Sequence, residues 1–547
     1  MKIFNTRLIS GLLLSVTLTS SLTGCMDDIE VTQVATEDQV GSSTTALESM
    51  VSAMSASFNQ VDMSYVNNNK WHGCFGYGAM MYSRDLMTGD FSLNDPSGYA
   101  THFNSYSRNQ NMDETYIFAS YLWGYYYNFI LTANNVISGV NPETATPTQL
   151  GYLGAGYAFR AFSYIDLARL FEFLPNDVFP DGKNDDGNVV TNLTVPIVKE
   201  GMNEADARNN PRVKREEMYN FILDDLNKAE EYIVNLSSSS GKTLPDLSCV
   251  YGLKARLYMW VEDYPNAEKY ARLAIDNASV NPMSQDDCLN TTTGFNDITK
   301  WMWGATQNSE TSTVQTGIIN WISWASNQTT FGYTGMGTGM FTQIDLNMYN
   351  RISDTDFRKL EWVAPEGSAL RAQNSFVSAE FEANMPEYAS LKFRPNEGNY
   401  ESSTVGASAS VPIMRVEEMY FIEAEAAAHR SAADGKQLVE NFMREYRDPE
   451  YTCRVSTPED VVEEIVFQKR VELWGEGQTF FDIKRLDYSV TRGYEGTLFE
   501  PLARFNTNGR PAWMNIVVPR SEVSNNGAIE GYNNPNPSDK YTPWTGQ

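Results

Sequence analysis

A chain of 547 residues is long enough to bury a sizeable core, either in one large domain or in roughly two to four smaller ones. Its 41 basic residues against 69 acidic ones give a formal net charge of -28, which argues against nucleic acid or an anionic membrane surface as a partner. Only three histidines and five cysteines are present, and no cysteines have the C-x-x-C spacing of a zinc site, so neither a metal nor another cofactor is predicted.

Residues 1–24 have the pattern of a secretory signal peptide. Lys2 and Arg7 supply positive charge, and residues 8–22 supply an apolar stretch that is shorter than the ~20 residues of a permanent transmembrane helix. The stretch ends in a Leu-Thr-Gly-Cys sequence, in which small residues precede the thiol of Cys25. We therefore predict cleavage before Cys25 and a lipid anchor on its sulfur. An ordinary signal peptide followed by a chance cysteine is the alternative.

The sequence after Cys25 predicts a short tether and then one folded unit. Residues 25–45 are polar, which suits a lipidated N-terminus that leads into the fold. Residues 46–547 contain no low-complexity linker long enough to divide them, so we expect a single globular domain. Apolar residues at helical spacing predict its main helices over residues 44–58, 112–138, 147–171, 215–229, 247–261, 264–277, 412–431 and 458–474.

The helices predicted over residues 247–261 and 264–277 resemble a tetratricopeptide pair. Ala255 on the first helix, with Ala267 and Ala271 on the second, occupy the small-residue positions that let paired helices approach closely. Any tight helical hairpin could use alanine in this way, so the pair alone leaves both interpretations open. The fold class that we predict is mostly α, with a helix-pair scaffold, a large irregular loop region and a few short strands.

Motifs of enzymes and metal sites are largely missing from the sequence. It has no G-x-S-x-G elbow, no P-loop, no H-E-x-x-H and no G-x-G-x-x-G. His72, His102 and His429 are far apart in sequence and suggest no triad. The loop over residues 181–188, DGKNDDGN, fails the EF-hand pattern, because Leu193 falls at the last ligand position. A solvated turn is the better interpretation, although such a loop could still hold calcium.

Several segments follow one another in an order typical of a known family. They are AGYAFRAFSYIDLARLF over residues 155–171, VPIMRVEEMYFIEAEAA over residues 411–427, and EEIVFQKRVELWGEGQTFFDIKRL over residues 463–486. Taken together they resemble the RagB/SusD family of nutrient-uptake lipoproteins. Gln468, Lys469 and Thr479 depart from the family pattern, which puts particular ion pairs in doubt but not the fold.

The resemblance implies a function as well as a fold. It implies a lipoprotein on the outer face of the outer membrane, where acidic residues such as Asp27 and Asp28 follow the lipidated cysteine. The protein would bind an oligosaccharide or polysaccharide and deliver it to a SusC-type TonB-dependent transporter, without catalytic residues. A peptide ligand, a surface glycoside hydrolase with two carboxylates, and a scaffold without a ligand are the alternatives.

In the resembled family, ligand platforms come from irregular loops, which directs attention to residues 59–111 and 281–410. These two stretches are rich in Asn, Gly and aromatic residues, and rings there could stack on sugar faces while polar neighbours bond the hydroxyls. Half or more of the rings should still be core. The residues that we predict to bind ligand are Trp71, Tyr77, Tyr82, Asp85, Trp321, Trp324 and Tyr333.

The helical scaffold, mainly residues 112–280 and 411–490, should contain a buried charge network. Glu423 lies among apolar residues of its helix, so it needs a donor such as an arginine from a neighbouring helix. A general acid/base pair of Glu423 with Glu472 or Glu476 is the alternative. The residues that we assign to this network are Arg415, Glu423, Glu472, Glu476, Asp482 and Arg485.

Overall fold

The computed structural model describes residues 43–546 apart from 63, 65–70, 96, 97, 99, 101 and 238–240. The predicted signal peptide, Cys25 and most of the predicted tether lie outside the described residues, as do Asn67, Asn68 and Asn69 of the first irregular stretch. In the described part, no helix is both long and apolar enough to cross a membrane.

Helices dominate the described residues. The longer ones are α1 (Thr44–Ser57), α2 (Tyr77–Leu86), α3 (Ile117–Ser138), α4 (Pro147–Phe171), α5 (Arg215–Tyr232), α6 (Leu247–Trp260), α7 (Tyr264–Asn277), α8 (Val416–Arg430), α9 (Ala432–Tyr446), α10 (Pro458–Glu472) and α11 (Thr479–Leu486). The short ones are Asn104–Ser107, Glu204–Ala207, Gln285–Leu289, Ser312–Gln315, Trp321–Ala325, Leu346–Arg351, Ala379–Asn384, Ser403–Gly406 and Arg520–Asn525. Single 3-10 turns include Trp71–Gly73, Ile233–Asn235, Gly294–Asn296, Ile298–Lys300, Phe357–Glu361, Arg371–Gln373, Asn396–Gly398, Pro501–Ala503, Ala512–Met514 and Gly527–Ile529.

Local chemistry explains where the scaffold helices begin. Helix α4 begins at Pro147, after Thr146 and Gln149 form a reciprocal capping box that satisfies the first backbone N–H groups. Helix α10 also begins at a proline, Pro458, and the Thr457 side chain accepts a hydrogen bond from a first-turn N–H. The bounds predicted for α4 and α7 coincide with those in the structure.

The long helices pack in sequence order, each against the next, from α3 to α9, and α8 also packs against α10. Close approach depends on small residues: a Cβ on Gly154 of α4 would lie 2.5 Å from the backbone nitrogen of Ile233. The contact between α7 and α8 joins the two scaffold segments across residues 281–410. A mostly α, helix-pair scaffold with few short strands is thereby confirmed.

Two short antiparallel ladders connect the irregular stretches to one another and to the scaffold. Strand β1 (Phe91–Asn94) pairs with β3 (Phe341–Ile344), and β2 (Trp303–Ala305) pairs with β4 (Val411–Met414). The helix predicted from residue 412 is therefore wrong at its start. β-branched residues flank Pro412, which has no N–H for a helix interior, so the chain stays extended until Arg415 caps α8.

Two further boundaries differ from the prediction. Helix α3 begins at Ile117 instead of residue 112, because Asp113 accepts a hydrogen bond from the Thr115 N–H, 2.8 Å away, and holds a turn before the helix. The stretch over residues 59–111 includes α2, every residue of which is buried. Elsewhere in the core, Cys249, Cys288 and Cys453 are buried thiols.

Candidate functional site

The two irregular stretches meet at His72. The imidazole contacts Trp71 edge-on at a centroid distance of 5.1 Å and stacks on His102 at 5.5 Å, and its Nδ1 is hydrogen-bonded to the Tyr333 hydroxyl. Trp71, His72 and His102 are partly exposed, whereas Tyr333 is 8% exposed. We call these four residues the aromatic–histidine cluster. It is the candidate ligand site, because partly exposed rings of the first predicted stretch lie there against a ring of the second.

Backbone contacts fix the Trp71 side of the cluster. Trp71–Gly73 forms a 3-10 turn in which the Cys74 N–H donates to the Trp71 carbonyl at 2.9 Å. The Asp62 N–H donates to the Cys74 carbonyl at 3.0 Å, which ties the turn to the segment after α1. A Cβ on Gly73 would lie 3.3 Å from the Cβ of His102, so a small residue lets the two segments come close.

The Tyr333 side of the cluster rests on a tightly bonded loop. The Tyr333 N–H donates to the Ser323 carbonyl at 2.7 Å, and the Thr338 hydroxyl donates to the Tyr333 carbonyl at 2.7 Å. Gly335 has a φ of +98°, a conformation that favours glycine. The Tyr333 ring stacks on Trp324 at 4.1 Å, so the cluster continues into the core.

Burial favours the uncharged form of the His72 imidazole in the aromatic–histidine cluster. Burial lowers the pKa of His72 below its ordinary value of 6.5, so the ring is neutral at pH 7 and offers one donor and one acceptor. Aromatic faces beside neutral donors and acceptors suit a polar, uncharged ligand such as a sugar.

Most of the residues that we predicted to bind ligand lie instead in the core. The side chains concerned have at most 2% of their surface exposed, so no ring face is open to a sugar. This corrects the ligand assignment for Tyr77, Tyr82, Asp85, Trp321 and Trp324.

The contacts of Tyr77 and Asp85 show why they are structural. The Tyr77 hydroxyl donates to Asp166 of α4 at 3.4 Å, and Asp85 accepts a hydrogen bond from the Gly477 N–H at 2.8 Å. Burial raises the pKa of Asp85 well above its ordinary value. Both side chains therefore tie α2 to its surroundings, and of the predicted ligand residues only Trp71 and Tyr333 belong to the cluster.

Glu472 is the centre of a buried group of charges. Its carboxylate accepts hydrogen bonds from Arg447 at 2.7 Å, from Arg415 at 3.0 Å and from Arg358 at 3.2 Å. Burial opposes ionisation, yet the arginines, chiefly Arg447 and Arg415, hold the pKa of Glu472 well below its ordinary range. Arg415 also donates to Glu476 at 2.9 Å. We call these five residues the ionic network.

The other predicted network residues form separate pairs. Arg272 of α7 donates to Glu423 at 2.8 Å, which supplies the arginine that the sequence required. Asp482 and Arg485 pair within α11 at 2.9 Å, and Arg485 also reaches Glu425 of α8. Each of these carboxylates is already bonded to a basic side chain, an arrangement that suits packing between helices.

The loop over residues 181–188 is fastened to the C-terminal segment. The side-chain amides of Asn184 and Asn188 donate to the carbonyl of Gly531, at 2.8 and 2.7 Å. Within the described residues, no group of three or more His, Cys, Asp or Glu side chains could hold a metal ion.

Sequence reasoning missed His72 and His102 as site residues and Arg358 and Arg447 as network residues. Their separation along the chain hides the contacts. Both histidines nevertheless lie in the first irregular stretch, and that position is the signal that could have identified them.

Two family models match the chain. The model described as the SusD family matches residues 303–542, and the model described as starch-binding, associating with outer membrane, matches residues 82–259. Together they cover most of the chain between residues 82 and 542.

Solved structures share the fold. A SusD-like carbohydrate binding protein from Bacteroides vulgatus has a TM-score of 0.68 at 20% identity, over 89% of this chain and 97% of that one. Surface glycan-binding protein A from Bacteroides thetaiotaomicron, in complex with laminarihexaose, has a TM-score of 0.60 at 16% identity, over 90% of this chain and 99% of that one.

A curated relative matches over a shorter range. A SusD-like protein from Formosa agariphila is 27% identical over 145 residues, which are 26% of this chain and 24% of that protein. The match therefore spans about a quarter of the length of that relative.

Proposed function

Because the chain belongs to the SusD/RagB family, we propose that it binds carbohydrate at the outer membrane, capturing an oligosaccharide or polysaccharide outside the cell. Family members are binding proteins, and the proposal includes no covalent step. The observation that carries it is the aromatic–histidine cluster, in which a partly exposed tryptophan ring lies beside neutral hydrogen-bonding groups.

The cluster has the features that a sugar requires. The Trp71 ring supplies an apolar face for C–H groups, and the polar edges of His72 and His102 can bond hydroxyls beside it. The hydrogen bond between the Tyr333 hydroxyl and Nδ1 of His72 fixes the orientation of the imidazole, so the site is preorganised before a ligand binds. The laminarihexaose complex of the structural neighbour from Bacteroides thetaiotaomicron supports an oligosaccharide as the ligand.

The proposal extends to an anchor and a partner. A lipid on Cys25 would hold the protein on the outer face of the outer membrane, and a SusC-type TonB-dependent transporter would receive the bound glycan. The tether would keep the binding domain close to the transporter at high effective concentration. Incorporation of labelled palmitate that depends on Cys25, and co-purification of a transporter, would support these two steps.

Isothermal titration tests the binding function directly. We expect neutral oligosaccharides, with laminarihexaose as the first probe, to bind the wild-type protein, and Trp71→Ala to weaken binding roughly 30-fold, the equivalent of about 2 kcal/mol. Tyr532→Ala is the matched control, because that ring is 46% exposed but lies outside the cluster. Binding of oligopeptides alone, or unchanged affinity in Trp71→Ala, would contradict the proposal.

A further inference from the structure

A small cavity lies between the scaffold helices. None of the residues that line it belongs to the aromatic–histidine cluster. Helices α4, α5 and α6 of the first scaffold segment line one side, and α8, α10 and α11 of the second segment line the other. Its volume is about 30 Å³, and a buried water needs about 10–15 Å³ on the same scale. The cavity therefore has room for about two waters or one small ion.

Basic side chains outnumber acidic ones around this cavity. Three carboxylates, those of Glu172, Glu418 and Asp482, belong to its lining. Asp166 and Glu425 add partners from outside it, on Arg169 and Arg485 respectively. The basic residues in the lining are Arg169, Arg215, Arg256, Lys469, Lys484 and Arg485.

Two of the lining guanidinium groups each keep one donor without an acceptor. Arg256 uses its other nitrogens on Glu418, at 2.7 and 2.6 Å, and Arg485 uses its own on Glu425 and Asp482. The Nη1 atoms of Arg256 and Arg485 are buried and have no hydrogen-bond partner in the described part of the protein. A buried donor left unbonded costs about 1–3 kcal/mol, so an acceptor in the cavity would be stabilising.

Lys484 adds a buried ammonium beside these groups. It donates to the Leu170 carbonyl at 3.0 Å, and no carboxylate contacts it among the described residues. Burial lowers the pKa of Lys484 well below its ordinary value; Glu172 opposes this shift, whereas Arg510 and Arg215 add to it. An anion nearby would keep the ammonium charged.

We propose that this cavity binds one small inorganic anion of about the size of chloride, which accepts hydrogen bonds from the Nη1 atoms of Arg256 and Arg485 and balances the charge of Lys484. Arg256 belongs to α6 and Arg485 to α11, so the ion would connect the two scaffold segments. Its role would be structural: it would stabilise the packing of helices that hold the ligand site.

Bromide substitution tests the site in the wild-type protein. Crystals soaked in sodium bromide should show an anomalous peak in the cavity, next to the two Nη1 atoms. In solution, chloride should raise the melting temperature in a saturable manner by about 1–2 °C over sodium gluconate at equal ionic strength, because gluconate is too large to enter.

A variant pair separates this site from general salt effects. Lys484→Met should lose the chloride-dependent shift, whereas Arg520→Gln, which removes an exposed basic side chain paired with Glu114 outside the lining, should retain it. If Lys484→Met does not fold, the presence or absence of the bromide peak in wild-type crystals tests whether the cavity binds an anion. Water alone in the bromide-soaked cavity would overturn the proposal, and so would a bromide peak without any saturable effect in solution, which would mean binding at crystal concentration only.

Discussion

The ionic network and the aromatic–histidine cluster are built from residue types that both suggest function, yet their surroundings differ. Glu472 is enclosed, and three arginines bond its carboxylate. The cluster is half-buried, and its Trp71 and His72 rings reach the surface. The difference shows that polar chemistry alone does not identify a site: side chains with complete internal partners hold the fold, and rigid side chains with open surface are available to a ligand.

The largest effect is expected from breaking the ionic network. Glu472→Gln removes the charge that three buried arginines share, and we expect the free energy of unfolding to fall by about 3–5 kcal/mol, as when one partner of a buried ion pair is lost. Urea unfolding measures this loss. Glu463→Gln is the matched control, because its pair with Arg351 is exposed and should contribute less than about 1 kcal/mol. Equal losses of unfolding free energy in the two variants would show that the ionic network stabilises the fold no more than an exposed ion pair does.

Acidification should affect the cluster at a milder pH than it affects the network. Because burial lowers the pKa of His72, the unfolded chain takes up its proton near pH 6.5 and the native state only at lower pH. The contribution of neutral His72 is therefore present above pH 6.5 and is lost as the pH falls below it. Protonation makes both nitrogens of His72 donors, so Nδ1 can then only donate to the Tyr333 hydroxyl, and the charged ring stacks on His102.

We expect glycan affinity to fall about 3- to 10-fold between pH 7 and pH 5, measured by titration calorimetry in both buffers. His72→Gln should bind more weakly at pH 7 and lose part of this pH dependence. An affinity of the wild-type protein that does not change over this range would show that His72 stays neutral or does not contact the glycan.

The smallest effect is expected at a ring that the sequence assigned to ligand binding and the structure places in the core. The Tyr82 hydroxyl is buried and has no hydrogen-bond partner among the described residues. Tyr82→Phe should therefore leave stability unchanged or raise it by up to about 1 kcal/mol, and glycan affinity should not change. If Tyr82→Phe folds normally but binds glycan more weakly, Tyr82 contributes to the ligand site after all.

The sequence by itself determined the helical scaffold and the family. Capping residues and apolar periodicity are local signals, so the bounds of α4 and α7 could be predicted closely, and the ordered motifs pointed to the SusD-like fold. The requirement that Glu423 find a basic partner also followed from its apolar helix face, since an unpaired buried charge is costly. The sequence did not show that Arg272 is the basic residue that bonds Glu423.

Only the tertiary structure decided which aromatic residues are open to a ligand. Tyr82 and Trp71 lie in the same irregular stretch, and nothing in their local sequence distinguishes a ring packed on all sides from one left partly exposed. Burial depends on contacts between residues that are hundreds of positions apart, such as His72 with Tyr333. The arginines that bond Glu472 could not be predicted from the sequence for the same reason. Long-range packing, unlike helical periodicity, leaves no local pattern in the chain.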